Sequence, residues 1–445
     1  MFWPNLLVAS AALGLASPTQ IRSFTLNKRA NSTTDPMYQL SADSDFHFEM
    51  LRPLSIAPYG GSDIGEVLIA AQQIKPGNFD SYYDGFFALA QRAHNISQKI
   101  NAKKFPVSAR EAAFKAATYY RSTDFYLHGN WSDPRIYSLW NQTLDLWNKA
   151  NSLLDIPGER INLKGPNFTI PAIFFNCGKP GKRPTIIVGT GYDGSQEELY
   201  HIMGQAILQR GYNAIVYEGP GQPSVRRYQN KGFIPDWEKV VTPIVDYALT
   251  RDDVDPKAIG LVGSSFGGYL APRAAAFEHR LAAVFALDGV YDFGAVVMNS
   301  LGPELEALFK AGNKTAVDKI LMEVINDPST PTAVRWSLQQ GLWTFYTHSP
   351  FEWLTQIQQY TLKDVVQNIK APVFVGDAQN DIFFPGQAKE LADKLGKLGH
   401  YHLFENILGA GEHCSTGGYV LANQVAFDWF EEVISVGGNG TNCDE

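Results

Sequence analysis

The chain has 445 residues, 45% of them hydrophobic and 13% aromatic, enough for a large core and too apolar for a disordered protein. Its formal net charge of -8 gives no footing for a nucleic-acid or anionic-membrane partner. Three cysteines, Cys177, Cys414 and Cys443, exclude a disulfide scaffold; a Cys177–Cys443 bridge stays open, and no metal-ligand pattern accompanies them.

The opening run FWPNLLVASAALGLA is apolar and ends in small residues, with Gly14 and Ala16 placed for a cleavage after Ala16. It predicts a signal peptide over 1–16 and a secreted protein, or one held in the secretory pathway. Glycosylation sequons beginning at Asn31, Asn95, Asn130, Asn141, Asn167, Asn313 and Asn439 point to the same route. No later run is long and apolar enough to span a bilayer. Residues 17–50 read as a polar lead-in with one short apolar patch. From about 60 to 155, four segments carry apolar residues at three- and four-residue spacing, which predicts amphipathic helices. Ser108 with Glu111 predicts a capping box for the third, and Asp133 with Pro134 a start for the fourth. Together, 17–158 form a lead-in and a helical cap domain.

The period then changes. FTIPAIFFN, PTIIVGTG, YNAIVYEG, AIGLVGS, AAVFALDG and APVFVGDA are short apolar or β-branched runs, several of them separated by helical patterns. Such spacing predicts an α/β domain with a mostly parallel sheet covered on both faces. It runs over 159–436, with a helical insertion near 295–360 and a polar tail at 437–445.

Gly263-Ser264-Ser265-Phe266-Gly267, followed by Gly268, matches G-x-S-x-G between a predicted strand and a predicted helix. A sharp strand-to-helix turn needs glycines at its crowded positions and projects the central Ser265 as a nucleophile; Ser264 is the alternative serine. The Phe266 amide then faces the site of a developing oxyanion. Serine needs a base, and His413 sits in a loop before the last helical pattern. The acid belongs after the preceding core strand, where Asp381 is favoured over Asp377. The order Ser265, Asp381, His413 is the hydrolase order. The loop after TIIVGTG offers the Tyr192 amide as second oxyanion donor, with Asp193 next in line. Glu218, Asp288, Tyr291 and Asp292 follow strand ends and are candidate substrate contacts. Tyr217 and Arg226 or Arg227 either line the pocket mouth or lock their loop.

The GSSFGG turn, YEGPGQ, GDAQNDIFFPGQA, GAGEHC and the helical motifs IGEVL, SYYDGFFALAQR and SAREAAFKAATYYRSTDFYL together resemble the α/β-hydrolases of fungal polyketide pathways. These are the yellowish-green pigment chain-shortening and fusarin-pathway types; the bacterial dihydroxypseudooxynicotine hydrolase is also similar. The resemblance implies an α/β-hydrolase fold with an N-terminal helical cap and the triad Ser265, Asp381 and His413. It implies cleavage of carbon–carbon bonds beside carbonyls, or ester and acyl-transfer chemistry, and a homodimer. The expected activity is that of a serine hydrolase on a small hydrophobic carbonyl compound, with no cofactor or metal. An acyltransferase, amidase or lactonase on the same triad, and a non-catalytic binding protein keeping the fold, are the competing readings. Retained ligand binding with no reaction toward serine probes would mark the last.

Overall fold

The computed structural model describes residues 37–438. Eight strands form one sheet: β1 (Glu159–Lys164), β2 (Thr169–Phe175), β3 (Arg183–Gly189), β4 (Asn213–Tyr217), β5 (Val254–Ser264), β6 (Ala283–Leu287), β7 (Val373–Ala378) and β8 (Gly399–Phe404). Their order is β1-β2-β4-β3-β5-β6-β7-β8. β2 pairs antiparallel with β1 and β4, and every pairing from β4 to β8 is parallel. Side chains alternate between two cores, as the pleat demands. Ile187, Ile215 and Leu261 pack on one face, Ile186, Val216 and Val262 on the other. Burial on both sides explains the continuous apolar runs.

Strand order brings the chemistry together. Gly189 at the end of β3 pairs with Gly263 near the end of β5, and Ser264 pairs with Leu287 at the end of β6. The loops after β3, β5, β6 and β7 therefore leave one sheet edge side by side, where ligands bind in open α/β sheets.

Five helices precede the sheet: α1 (Ser44–Ser55), α2 (Ile64–Ala71), α3 (Phe79–Lys99), α4 (Pro106–Asp124) and α5 (Arg135–Asn151). The last four match the periodic segments. α1 starts inside the stretch read as a polar lead-in and runs past its end at residue 50. Asp43 starts it by accepting from the amides of Asp45 and Phe46, and Phe46, Phe48 and Met50 are buried. The capping box at Ser108 does not form, because α4 already starts at Pro106 without a side-chain cap. Asp133 does serve α5, accepting from the Arg135 amide at 2.9 Å. Helices spanning 293–357 lie between β6 and β7, at the expected insertion. Among the described residues, no helix is long and apolar enough to cross a membrane. The signal segment, Asn31, Asn439 and Cys443 lie outside the described residues. Asn95, Asn130, Asn141, Asn167 and Asn313 are all exposed.

Candidate active site

Ser265 sits between β5 and the helix Gly267–Ala275 with φ 63°. A non-glycine residue pays about 1–2 kcal/mol for this left-handed backbone. Two hydrogen bonds hold it: its amide donates to Leu287 at 3.0 Å, and its carbonyl accepts from Gly268 at 2.6 Å. A Cβ at Gly263 would strike the Gly267 carbonyl, and one at Gly268 the Asp288 carbonyl. The glycines are thus imposed by the turn.

The late loop swings His413 onto this serine. His413 Nε2 lies 2.8 Å from Ser265 Oγ. Nδ1 lies 2.9 Å from Asp381 Oδ1 and 2.7 Å from Asp288 Oδ2. Two carboxylates on Nδ1 fix the proton there, so Nε2 accepts from the serine hydroxyl. Phe48, Phe383 and Phe384 pack around the ring.

Asp381 Oδ1 also accepts from the amides of Phe383 at 2.7 Å and Phe384 at 3.1 Å. Burial opposes its charge, but His413 and these amides outweigh it and hold Asp381 below its ordinary range. Asp377 turns away and accepts from the Tyr401 hydroxyl at 2.8 Å. Asp288 behaves differently: burial and then the Asp381 charge push it up, so it is the more readily protonated of the pair. Its backbone has φ 54°, and its carboxylate also accepts from the Cys414 amide. Burial of the His413 ring works against protonation. The Cys414 thiol, pushed up to about 12 mainly by burial, stays neutral at ordinary pH. With the thiol neutral, the charges of Asp381 and Asp288 are what raise His413 above its ordinary value.

Asp288, His413 and Cys414 offer donor atoms within 4.8 Å of one another. With Nδ1 committed to two carboxylates and the thiol protonated, this cluster supports the imidazole better than a cation. Cys177 is free, its thiol directed at the Gly211 carbonyl at 3.3 Å.

The loop after β3 lies against the turn. A Cβ on Gly191 would sit 2.6 Å from the Phe266 nitrogen and 2.9 Å from Ser265 Cβ. The buried Gln222 amide donates to the carbonyls of Thr190 at 2.9 Å and Gly191 at 3.1 Å, while its oxygen accepts from Gly219 at 2.8 Å. A planar trans peptide points N–H opposite to C=O. Holding the Gly191 carbonyl thus fixes the direction of the Tyr192 N–H. Neither sequence pattern nor composition singled out Gln222; the YEGPGQ loop was its only signal.

Ser265 and His413 open into a cavity with aromatic walls that include Tyr192, Phe293, Trp336 and Phe383. One end is charged. Arg52 of α1 donates to Asp193 at 2.6 Å and Glu198 at 3.2 Å, and Arg121 of α4 donates to Glu198 at 3.2 Å and the Asp193 carbonyl at 2.7 Å. Asp193 lines the cavity, as do Glu49 and Arg52, which no motif announced.

The other candidate contacts do not line it. Glu218 is fully buried and accepts from the amides of Gln196 and Ser224; burial pushes it up to about 8. Asp288 is spent on His413. The Tyr291 amide donates to Gln387. Asp292 caps the helix at Phe293 and pairs with Lys363 at 2.6 Å. Tyr217 accepts from the Trp237 indole. Arg226 binds the Trp343 carbonyl and Arg227 pairs with Asp124, so both arginines lock their surroundings.

No family model matches the chain. A hydrolase of Aspergillus aculeatus is 30% identical over 430 residues, covering 90% of this chain and 99% of the relative. The 20-hydroxy-prefusarin hydrolase of Gibberella moniliformis is 29% identical over 423 residues, with the same coverage of 90% and 99%. The crystal structure of 2,6-dihydroxy-pseudo-oxynicotine hydrolase superimposes with a TM-score of 0.66 at 22% identity, over 86% of this chain and 96% of that one.

Proposed function

The chain belongs to the α/β-hydrolases of fungal secondary metabolism, and from that premise we propose that it is a secreted serine hydrolase working through an acyl-serine intermediate. The bond cleaved is an ester or an activated carbon–carbon bond beside a carbonyl, in a small hydrophobic, polyketide-like molecule. One observation carries the reading: a serine in left-handed backbone presents its hydroxyl 2.8 Å from an imidazole whose other nitrogen is held by carboxylate.

His413 takes the Ser265 proton as Oγ attacks the carbonyl carbon, and Asp381 holds the imidazolium that forms. The amides of Phe266 and Tyr192 face the oxyanion. Collapse expels the leaving group, to which His413 returns the proton. Water, activated by the same imidazole, then releases the acyl group. The aromatic walls suit a flat or apolar substrate and leave few polar groups to fix its orientation.

A fluorophosphonate probe labels the wild-type chain, and peptide mapping finds the adduct on Ser265. Labelling elsewhere, or none in a chain that still binds ligand, rejects the reading. The five exposed sequons support the secretory route. Expression in a eukaryotic host then gives a secreted chain whose mass falls on treatment with an N-glycosidase; retention of an unmodified chain in the cytosol rejects it.

A further inference from the structure

Glu49 and Asp193 are the acidic residues that line the cavity. They are held in opposite ways. Asp193 Oδ1 accepts from Arg52 at 2.6 Å and faces Arg121 at 3.5 Å. Glu49 is 4% exposed, and its carboxyl takes part in no hydrogen bond among the described residues. It forms an ion pair with Arg52 Nη1 at 3.6 Å, too long for a hydrogen bond. Arg52 donates its hydrogen bonds instead to Asp193 and Glu198.

A buried carboxylate without donors relieves its desolvation by keeping its proton. Burial is the main cause here. Arg52 and, less, Arg121 oppose it and the charges of Asp193 and Asp45 add to it; burial prevails, so Glu49 titrates well above the usual carboxyl range. A protonated carboxyl is a hydrogen-bond donor. Glu49 lines the cavity that holds Ser265 and His413, and also a smaller pocket against α4 with Arg121 and Phe125. α1 itself passes beside the imidazole, with the Phe48 ring 5.9 Å from His413.

Cleavage of an ester needs only a proton for the departing oxygen, which His413 supplies. Cleavage of a carbon–carbon bond needs more, because the departing carbon must pass its electron pair to an oxygen. We propose that Glu49 is a catalytic residue for this second reaction, its carboxyl O–H donating to the far carbonyl oxygen of a 1,3-dicarbonyl substrate whose near carbonyl Ser265 attacks.

The proposal rests on the acyl-serine reading of the same site. Ser265 Oγ bonds to the near carbonyl carbon while its proton passes to His413 Nε2. The tetrahedral oxyanion collapses and the bond to the central carbon breaks. The released pair forms an enolate whose negative oxygen lies against the Glu49 O–H. The His413 imidazolium gives its proton to the central carbon, and the ketone leaves. Water then hydrolyses the acyl-serine. One water is consumed, a carboxylic acid and a ketone form, and nothing is oxidised or reduced.

The test compares benzoylacetone with a p-nitrophenyl ester on the full chain. In Glu49→Leu the ratio of kcat/KM for the diketone to that for the ester falls about 10²-fold, the scale for loss of one preorganised donor. Glu49→Gln keeps an N–H donor and holds the ratio within about 10-fold of wild type. A ratio unchanged in Glu49→Leu overturns the proposal, as does a wild-type chain that cleaves the ester but not the diketone. Binding supplies a readout that needs no turnover. In a Ser265→Ala background, adding Glu49→Leu weakens benzoylacetone binding about 10-fold, near the worth of one buried hydrogen bond. Equal affinity overturns the proposal. Failure of the underlying reading looks different: the ester is then cleaved as fast by Ser265→Ala as by wild type.

Discussion

The rim of the sheet and the seam beneath the helical cap both concentrate polar groups, but they are built from different materials. At the rim, function is set by backbone. Ser265, Asp288, Cys414 and Ser415 all have positive φ, and glycines at 263, 267 and 268 admit the close approach of neighbouring loops. At the seam, function is set by charges on regular helices. Asp124 of α4 pairs with Arg227, while Arg52 and Arg121 meet Asp193 and Glu198. A strained rim spends stability on geometry, and a paired seam fixes the cap over it.

The sharpest way to break this contrast is at the nucleophile. Ser265→Ala lowers kcat by about 10⁴-fold or more, as expected when the attacking atom of a cooperating set is removed. Stability changes by no more than about 1 kcal/mol in chemical denaturation, the scale of the single hydrogen bond to His413 Nε2 that is lost. Ser265→Gly goes further and stabilises the fold by up to about 1 kcal/mol by relieving the left-handed backbone. Wild-type rates in either variant would move the chemistry off the rim.

The seam predicts the reverse. Arg227 is fully buried; it meets Asp124 and donates to the carbonyls of Ile136 and Pro223, both at 3.2 Å. Arg227→Met leaves the buried Asp124 carboxylate with His128 at 3.3 Å and the charge of Arg121, and costs about 3–5 kcal/mol. The folded fraction retains its kcat. A variant with wild-type stability would show that the pair does not hold the cap.

Gly191→Ala tests how closely the two loops of the rim meet. The new Cβ would lie 2.6 Å from the Phe266 nitrogen, so the loop must shift and the two amides can no longer converge. kcat falls about 10²–10³-fold, equivalent to about 3–4 kcal/mol, while KM changes little. An equal loss in KM would assign the glycine to substrate binding.

The contrast also explains what could be read in advance. Backbone strain leaves a local trace, because only certain residues tolerate it: GSSFGG and the glycines after β3 announced the rim. The core strands announced themselves through burial on both faces. β1 and β8 escaped because they are edge strands with alternating polar residues, such as Arg160 and Lys164 or His400 and His402. α1 escaped because SDFHFEMLRPLS mixes charge with Pro53, and its buried Glu49 and Arg52 make sense only against Asp193, more than 140 residues away. Asp288 sat in plain view after β6, but nothing local told a strand-end aspartate that faces substrate from one that faces His413.

That second carboxylate yields the smallest of these effects and the finest test of the rim. General-base catalysis needs neutral His413, so kcat/KM falls as pH drops through its pKa. The two carboxylates hold that pKa above the ordinary value, which places the acid limb of the profile above about 6.5. Asp288→Asn removes one negative charge at 2.7 Å from Nδ1 and keeps an oxygen for the Cys414 amide. The imidazolium loses support, its pKa falls, and the acid limb moves to lower pH. The plateau rate changes little, because Asp381 still orients Nδ1 and is itself held by the amides of Phe383 and Phe384. Asp381→Asn, lacking that substitute, lowers the plateau far more. An acid limb that stays in place in Asp288→Asn would mean that Asp288 already carries a proton throughout the active range, leaving Asp381 as the only charge the imidazole feels.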